Sequence, residues 1–386
     1  MKITISTGGK FHAFHLARQL ENRGFLQRII TGYPKLKLRN EGIGSNQIKS
    51  FPIPFLFEHV LSKVKFLKKR IPINYIYKVV YDTLASRHVN DCDILIGWSG
   101  NCLKSIVKAK NNGAIVVVDR GAAHIQFQDE ILREEYNKYG VEIKPIDKLI
   151  IRRELLEYDL ADYIMVPSHF VKRSFVEKGI NENKVLVCPY GVDISRFKKV
   201  RKEDSTFRII FAGAISFQKG VQYLLNAVSE LDIENFELVL IGRIENKEMK
   251  NLIKNSKNCR FVGRIAQDEL YWHYSQGSVF VQPSIQDGFA MTIIEAMACG
   301  LPIISTVNVG GSDIVEDDKN GYIINIRDVK AIKDKILKLY NNREMLNRMS
   351  ENAMKTAKIY TWNRYGEIIT KIYSDVYNEK VKVNEK

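Results

Sequence analysis

Short apolar runs rich in β-branched residues recur along this chain, and helical patterns separate most of them. Within most of these runs the apolar side chains are consecutive instead of alternating with polar ones, which predicts strands buried on both faces. Strands of this kind that alternate with helices predict an α/β fold with parallel sheets covered by helices. The runs lie at residues 3–6, 93–97, 114–118, 163–167, 207–211, 236–241, 259–262, 278–282, 301–305 and 321–324.

The length of 386 residues predicts two domains, because a single hydrophobic core seldom grows to that size. The apolar periodicity stops at residues 191–206, where the sequence becomes charged, and we assign this stretch as the linker. The first domain is therefore expected at residues 1–190 and the second at residues 207–360. Residues 361–386 are expected to form one further helix that ends in a polar, frayed tail from Asn378.

Five cysteines are scattered along the chain without the spacing of a metal site. They predict a reducing compartment, and they give no reason to expect a bound metal ion or any other cofactor. No charged and apolar leader opens the sequence, and no apolar run approaches the length of a membrane span. We therefore expect a cytoplasmic protein that is soluble or is attached to the inner face of the membrane at its surface.

The net charge of +15 is concentrated near the start of the chain, where residues 1–80 carry 15 Lys and Arg against 3 Asp and Glu. Such a basic face attracts phosphates, whether of nucleic acid, of anionic lipid or of a phosphorylated substrate. No RNA-binding aromatic motif, zinc finger or other nucleic-acid module accompanies it, so we do not expect nucleic acid as a partner. A solvated basic surface without a partner is the alternative.

Residues 282–304 are the most informative for function. They predict a buried strand, a turn at Asp287-Gly288 and a helix that begins near Ala290. The free N–H groups and the positive end of such a helix suit a diphosphate. Asp287 and Glu295 place two carboxylates eight positions apart, within reach of two parts of one elongated ligand.

This segment, D-G-F-A-M-T-I-I-E-A-M-A-C-G-L-P-I, resembles the signature of the retaining GT-B glycosyltransferases of family 4, in which two acids are separated by seven residues. The resemblance is strong from about Val166 onward and weak before it. It implies two Rossmann-like domains that face each other across a cleft, and a C-terminal helix that crosses back to the first domain. Further matching stretches are V-P-S-H-F-V at 166–171, P-Y-G-V-D at 189–193, F-A-G-A-I-S-F-Q-K-G-V-Q-Y-L-L at 211–225, G-G-S-D-I-V at 310–315 and N-G-Y at 320–322.

The resemblance also implies which residues of the second domain bind the donor. Glu295 would accept hydrogen bonds from the ribose hydroxyls of a nucleotide-sugar, and Asp287, which is Glu in most relatives, would contact the transferred sugar. Lys219 would neutralise the departing diphosphate, and Arg264-Ile265 would hold the base through the main chain. The other predicted donor contacts are Gly213, Gly288, Phe289, Ala290, Met291 and Thr292.

One position of the second domain departs from the family pattern. Many members have an Arg directly after the glycine that corresponds to Gly213, whereas this chain has Ala214. Arg208 and Arg243 are the candidates to supply the missing positive charge. The alternative is that its loss lowers the activity.

In the first domain, His124 matches a histidine that relatives place near the donor sugar, and we predict it to be catalytic together with Lys219 and Asp287. Gly8 and Gly9 would let the backbone approach donor and acceptor closely. His12 and His15 are assigned to the surface of a helix.

The string Asp91-Cys92-Asp93 resembles a DxD metal motif, but it precedes a strand and is interpreted as a structural turn. The resemblance therefore implies sugar transfer without a metal ion, through an oxocarbenium-like state in which the departing phosphate takes the acceptor's proton. Two alternatives stay open: a GT-B sugar-nucleotide epimerase, and a non-catalytic basic protein that binds membrane or nucleic acid. A nicotinamide-dependent oxidoreductase is disfavoured because no G-x-G-x-x-G follows the first strand.

Residues 57–71 predict a basic amphipathic helix. Its apolar positions recur at helical spacing, and five Lys and Arg residues lie between them. A helix of this composition can lie in the headgroup region of an anionic membrane, and the acceptor would then be a lipid-linked or surface glycan. A helix packed on its own sheet with a solvated basic rim is the alternative.

Overall fold

The computed structural model describes residues 1–52, 72–143 and 145–384. Two separate sheets organise these residues, and every pairing between neighbouring strands is parallel. The last strand of the first sheet ends at Val187 and the first strand of the second begins at Phe207. The expected α/β class with parallel sheets is therefore what the chain adopts.

The first sheet has seven strands in the order β3-β2-β1-β4-β5-β6-β7. Its central strand β4 and the two strands beside it, β1 and β5, are buried along their whole length. The strands are β1 Ile3–Thr7, β2 Leu26–Thr31, β3 Ile48–Ser50, β4 Ile94–Trp98, β5 Ile115–Asp119, β6 Tyr163–Val166 and β7 Val185–Val187.

The second sheet has six strands in the order β10-β9-β8-β11-β12-β13. The order reverses beside β8, which is where an open parallel sheet leaves a crevice at the carboxyl ends of its strands. The strands are β8 Phe207–Ile215, β9 Phe236–Ile244, β10 Cys259–Gly263, β11 Val279–Gln282, β12 Ile303–Thr306 and β13 Gly321–Ile324.

Helices cover both faces of the two sheets. Numbered within the described residues, they are α1 Ala13–Glu21, α2 Ile73–Ser86, α3 Leu103–Asn111, α4 Ile125–Lys138, α5 Lys148–Leu160, α6 His169–Val176, α7 Val221–Ser229, α8 Lys247–Lys254, α9 Leu270–Ser275, α10 Met291–Ala298, α11 Val329–Asn341, α12 Arg343–Ala357 and α13 Trp362–Asn384.

The last helix, α13, packs against α1 of the first domain. Tyr365, Ile369 and Tyr373 are buried in the same hydrophobic core as Phe14 of α1. The crossing of the C-terminal helix that the resemblance implies is thus present. The expectation of a frayed tail from Asn378 is wrong, because α13 continues to Asn384.

Helix α4 belongs to the first domain by its connections, but its second half packs on the second domain. Glu135, which is fully buried, accepts hydrogen bonds from Gln222 Nε2 at 2.7 Å and from Tyr223 Oη at 2.8 Å. Arg327 Nε lies 2.7 Å from the other carboxylate oxygen of Glu135. Tyr136 donates to Glu245 at 2.5 Å. This set of contacts, which we call the α4 bridge, joins the two domains.

No helix within the described residues is both long enough and apolar enough to cross a membrane. The predicted amphipathic helix at residues 57–71 lies outside the described residues, so its association with an anionic membrane stays a prediction.

Candidate active site

A cleft of about 600 Å³ lies between the two domains. His15 on its first-domain wall stacks on Trp362 of α13 with the ring centroids 3.8 Å apart, and burial lowers the pKa of His15 to about 4. Met291 and Glu295 of α10 form part of the opposite wall. The other lining side chains include Lys10, Arg18, Glu41, Asp193, Arg196 and Gln267.

The loop that follows β11 lies deep in the fold because two glycines allow its backbone to approach other segments. A Cβ atom at Gly220 would overlap the carbonyl of Pro283, and a Cβ atom at Gly288 would overlap the carbonyl of Gly121 in the first domain. Ser168 of the first domain donates to the Gly288 carbonyl at 2.7 Å. The predicted turn at Asp287-Gly288 is therefore a contact between the domains.

Helix α10 begins directly after this loop. Ala290 precedes it in the left-handed region, with φ of 56°, a conformation that a residue with a side chain seldom adopts. The first backbone N–H groups of any helix lack partners inside the helix, and together with the helix dipole they attract an anion. The predicted anion-binding stretch from Phe289 to Thr292 is thus located at a helix N-terminus beside the cleft.

Glu295 is a carboxylate in apolar surroundings and is 5% exposed. Burial raises the pKa of Glu295 to about 7, although hydrogen bonds from Tyr274 and Gln267 partly oppose this rise. The Tyr274 hydroxyl lies 3.4 Å from Glu295 Oε2. A carboxylate that is buried with so few donors and that borders the cleft suits a ligand that brings hydroxyl groups of its own.

The raised pKa of Glu295 predicts a pH dependence of stability. A carboxyl group whose pKa is raised by folding favours the folded state below its unfolded pKa, and this contribution is lost as the pH rises through the folded value. Between pH 4.5 and 7 we expect Glu295 to lower the free energy of unfolding by about 3 kcal/mol, and Glu295→Gln should remove this dependence. Thermal unfolding of both proteins at a series of pH values measures the difference. A difference that stays constant over this range contradicts the expectation.

Lys219 and Asp287 form an ion pair through Lys219 Nζ and Asp287 Oδ2, with side chains 19% and 17% exposed. Lys219 lies in the loop after β8, and Asp287 lies in the loop after β11, which pairs with β8. The sequence separates these residues by 68 positions, and the fold brings them together at the carboxyl ends of two neighbouring strands. A diphosphate at the start of α10 would compete with Asp287 for the Lys219 ammonium group.

Of the two arginines considered for the charge missing at Ala214, the strand register favours Arg243. Arg208 lies at the opposite end of β8, and its guanidinium is paired with Asp204 and Glu237 at 2.5 Å each. Arg243 is exposed and pairs directly with Ala214 across β8 and β9. Residues in register on neighbouring strands project from the same face of a sheet. Arg243 therefore projects beside the position where many relatives have their arginine.

The remaining predicted donor contacts lie at the same edge of the second sheet. Gly213 is within β8 at a φ of 149°, and Arg264 and Ile265 directly follow β10. Arg264 is exposed, whereas Ile265 is half-buried against the core. Their contacts with a nucleotide base stay a prediction.

Gly8 and Gly9 follow β1 at the carboxyl edge of the first sheet. Tyr77 donates a hydrogen bond to the Gly8 carbonyl, and a Cβ atom at Gly8 would lie 2.6 Å from Asn101 Oδ1. His124 caps α4, with Nδ1 accepting from the Gln126 N–H at 3.3 Å.

The His124 side chain is turned into the first domain. The residue is 1% exposed, its ring packs near Tyr158 and Phe175, and burial lowers its pKa to about 4. Contact with the donor sugar stays a prediction for His124, and it would require the ring to leave this packing.

The Asp91-Cys92-Asp93 turn has a structural role. Asp91 has a φ of 50°, Cys92 is buried, and Asp93 Oδ2 accepts a hydrogen bond from the Lys2 N–H at 2.6 Å. Within the part of the chain that the structure describes, no group of three or more His, Cys, Asp or Glu residues could hold a metal ion.

Comparison with known proteins identifies the family. Residues 6–196 match the family model Glycosyltransferase Family 4, and residues 193–356 match Glycosyl transferases group 1. The chain belongs to the group 1 glycosyltransferases of family 4. An uncharacterized glycosyltransferase of Methanocaldococcus jannaschii is 25% identical over 322 residues, which span 82% of this chain and 85% of the relative. The capsular polysaccharide biosynthesis glycosyltransferase CapM of Staphylococcus aureus is 23% identical over 258 residues, which span 61% and 66%.

Solved structures place this family 4 glycosyltransferase in the GT-B fold. A sucrose-phosphate synthase from Thermosynechococcus elongatus matches with a TM-score of 0.73 at 14% identity, covering 98% of this chain and 100% of the other. HepE of Anabaena in complex with UDP matches with a TM-score of 0.70 at 15% identity, covering 97% and 100%. The predicted fold is confirmed.

Sequence reasoning did not find several residues that shape the site of this family 4 glycosyltransferase. Tyr274 and Gln267 contact Glu295 from outside the segment that resembles the family signature. Gly121 of the first domain contacts Gly288 in the loop after β11. His12, assigned to a helix surface, is 13% exposed and bonded to Asp119. No spacing rule relates such residues, because they come from separate segments of the chain.

Proposed function

We propose that this enzyme transfers a sugar from a nucleotide-diphosphate sugar to an acceptor with retention of the anomeric configuration. In this proposal the second domain binds the donor and the first domain binds the acceptor. The observation that carries it is the buried Glu295 carboxylate on the cleft wall. Glu295 lies in α10, and the loop directly before α10 contains Asp287, which forms the ion pair with Lys219. A nucleoside diphosphate that carries a sugar has hydroxyls for Glu295, phosphates for Lys219 and the start of α10, and a sugar for Asp287.

The chemistry follows from where charge develops. As the bond between the anomeric carbon and the diphosphate oxygen breaks, negative charge grows on the diphosphate. In this proposal Lys219, which exchanges its contact with Asp287 for the diphosphate, and the N–H groups at the start of α10 stabilise this charge. The acceptor hydroxyl then attacks the anomeric carbon from the face that the diphosphate leaves, and a phosphate oxygen takes its proton.

We include Arg243 as the second cation of the diphosphate site. Its pairing with Ala214 at the carboxyl edge of the sheet and its exposed side chain support this role. Arg208 is excluded from the proposal, since its guanidinium is already paired with two carboxylates at the other end of β8.

A donor screen followed by product analysis tests the proposal. Thermal unfolding with a panel of nucleoside diphosphates and their sugars selects the donor, because a ligand that binds the folded protein raises its melting temperature. The selected donor is then incubated with candidate acceptors, and NMR spectroscopy of the product reads the anomeric configuration. Inversion would refute retention, and interconversion of the donor sugar without transfer would favour an epimerase.

We expect transfer to continue in EDTA. The diphosphate charge is met by Lys219, Arg243 and the helix N-terminus in this proposal, so a divalent cation has no assigned task. Initial rates should agree within about a factor of two with and without chelator. Loss of activity in EDTA that magnesium or manganese restores would show that the enzyme requires a metal ion.

We also propose that the acceptor is a glycan or a lipid-linked glycan and that the enzyme acts in surface polysaccharide synthesis. The similarity to CapM, whose name refers to capsular polysaccharide biosynthesis, and the basic residues 57–71 support it. Co-sedimentation with anionic and neutral vesicles tests the membrane step, using the wild type and a variant with Lys63, Lys65, Lys68 and Lys69 all changed to Glu. Equal sedimentation of both proteins would show that these lysines do not attach the enzyme to a membrane.

A further inference from the structure

His12 and Asp119 form a hydrogen-bonded pair near the contact between the two domains. The proposed transfer mechanism gives neither residue a role. His12 Nε2 lies 3.0 Å from Asp119 Oδ1. Asp119 is the last residue of β5 and its side chain is 2% exposed, whereas the His12 side chain is 13% exposed. The pair thus joins the carboxyl edge of the first sheet to the loop that follows the glycine turn.

The carboxylate fixes the orientation of the imidazole. In a neutral imidazole whose Nε2–H donates to Asp119, Nδ1 is a hydrogen-bond acceptor. His12 directly precedes α1, but its side chain does not cap that helix. The rings of Trp98 and Tyr190, with centroids 4.8 and 4.1 Å from that of His12, hold the imidazole between them. In this tautomer Nδ1 is an acceptor that has no hydrogen-bond partner among the described residues.

Tyr190 adds a second polar group. The residue is 8% exposed, and its hydroxyl has no hydrogen-bond partner among the described residues. A buried hydroxyl without a partner destabilises a fold, so such groups in native proteins are usually satisfied by water or by a ligand.

The His12 ring and the Tyr190 hydroxyl border one small space beside the loop that follows β11. A Cβ atom at Gly121 would lie 3.0 Å from the Tyr190 hydroxyl and 3.5 Å from His12 Cε1, so the glycine leaves this space free. The Gly121 carbonyl contacts Gly288, and the Tyr190 ring centroid lies 5.3 Å from that of Phe289. These contacts place the space beside Gly288 and Phe289, the residues that lead into α10.

We propose that His12 and Tyr190 bind a sugar hydroxyl near the contact between the two domains, with Asp119 as a positioning residue that orients the His12 ring. The hydroxyl donates to His12 Nδ1, and the Tyr190 hydroxyl donates to the oxygen of the same group. This inference rests on the proposed function, because the hydroxyl belongs to the donor sugar or to the acceptor.

A pair of matched tyrosine variants tests the hydroxyl of Tyr190. Tyr190→Phe should lower kcat/KM by about 3- to 10-fold while the melting temperature stays equal or rises. Tyr373→Phe is the control, since Tyr373 is fully buried and its hydroxyl also lacks a partner among the described residues, but it lies in α13 and has no role in the proposal. Equal kinetics for wild type and Tyr190→Phe, or equal losses in both variants, would overturn the proposal.

Histidine variants test the dyad. His12→Asn should lower kcat/KM by roughly 10- to 100-fold and leave the dissociation constant of the nucleoside diphosphate unchanged, because that ligand has no sugar. Asp119→Asn should give a smaller loss together with a changed tautomer of His12 in ¹⁵N NMR spectra. His88→Asn, at the opposite edge of the first sheet, should behave as the wild type. A parallel loss of nucleoside diphosphate affinity in His12→Asn would assign His12 to folding or nucleotide binding and refute the proposal.

Two reactions of the same variants identify the source of the hydroxyl. If the donor sugar supplies it, His12→Asn slows both donor hydrolysis without acceptor and transfer. If the acceptor supplies it, only transfer is slowed. Failure of the proposed function is distinguishable from either result, since the wild type itself would then turn over no nucleotide-sugar.

Discussion

Lys219→Ala should lower kcat by about 10²- to 10³-fold, the loss typical when one preorganised charge stabiliser is removed from an active site. The reason is the placement of the Lys219 ammonium group beside Asp287 at the edge where α10 begins. The negative charge of the diphosphate grows as the glycosidic bond breaks, so the ammonium group stabilises the transition state more than the bound donor. Steady-state kinetics with the donor selected by thermal unfolding measure this effect.

The same variant should bind the nucleoside diphosphate with a much smaller loss, of about 10-fold or less. Lys219→Arg should recover part of the rate because it keeps the charge. Lys319→Ala is the matched control, since Lys319 is half-exposed, is paired with Glu316 and precedes β13 at the other edge of the sheet. An equal loss of kcat and of nucleoside diphosphate affinity would mean that Lys219 only binds the ground state.

The second large effect is expected for Glu295→Ala. Removal of a charged acceptor from two ribose hydroxyls should weaken donor binding by about 1.5–3 kcal/mol, which corresponds to roughly 10- to 100-fold. Isothermal titration with the nucleoside diphosphate measures this loss. Because burial holds the pKa of Glu295 near 7 in the free protein, binding that favours the carboxylate should also release a proton near neutral pH.

Two controls separate binding from folding in this experiment. Glu344→Ala changes an exposed glutamate at the start of α12 and should leave affinity unchanged. The melting temperature of Glu295→Ala at pH 8 should stay close to that of the wild type, since the loss of packing is offset by removal of a buried charge. Unaltered affinity in Glu295→Ala would refute the ribose role.

The sequence predicts the strands whose apolar residues form a recognisable run, and most of these strands are buried on both faces. It does not predict β2, β3 and β7. Polar Gln27 and Arg28 interrupt β2, and β3 and β7 are three-residue strands at the two edges of the sheet. Short edge strands are set by pairing with a neighbour, so their own residues contain little signal.

The candidate site likewise has one part that the sequence predicts and another part that it does not predict. The loop and helix around Asp287 and Glu295 are continuous in sequence, so spacing and turn chemistry predict them. The site proposed around His12 and Tyr190 is not continuous in sequence. His12 and Asp119 are 107 positions apart, and the loop that packs beside them belongs to the other domain. The pairing of Arg243 with Ala214 also became visible only from strand register.

The α4 bridge has a consequence for engineering chimeric transferases. Exchanging the donor-binding half at the linker would separate Tyr136 and Val141 from the apolar cluster of the second domain in which they are buried. It would also leave Glu135 facing a foreign surface, without the partners that Gln222, Tyr223 and Arg327 provide. A functional chimera would therefore need to transplant residues 135–141 together with the C-terminal half, so the unit of exchange is discontinuous in sequence.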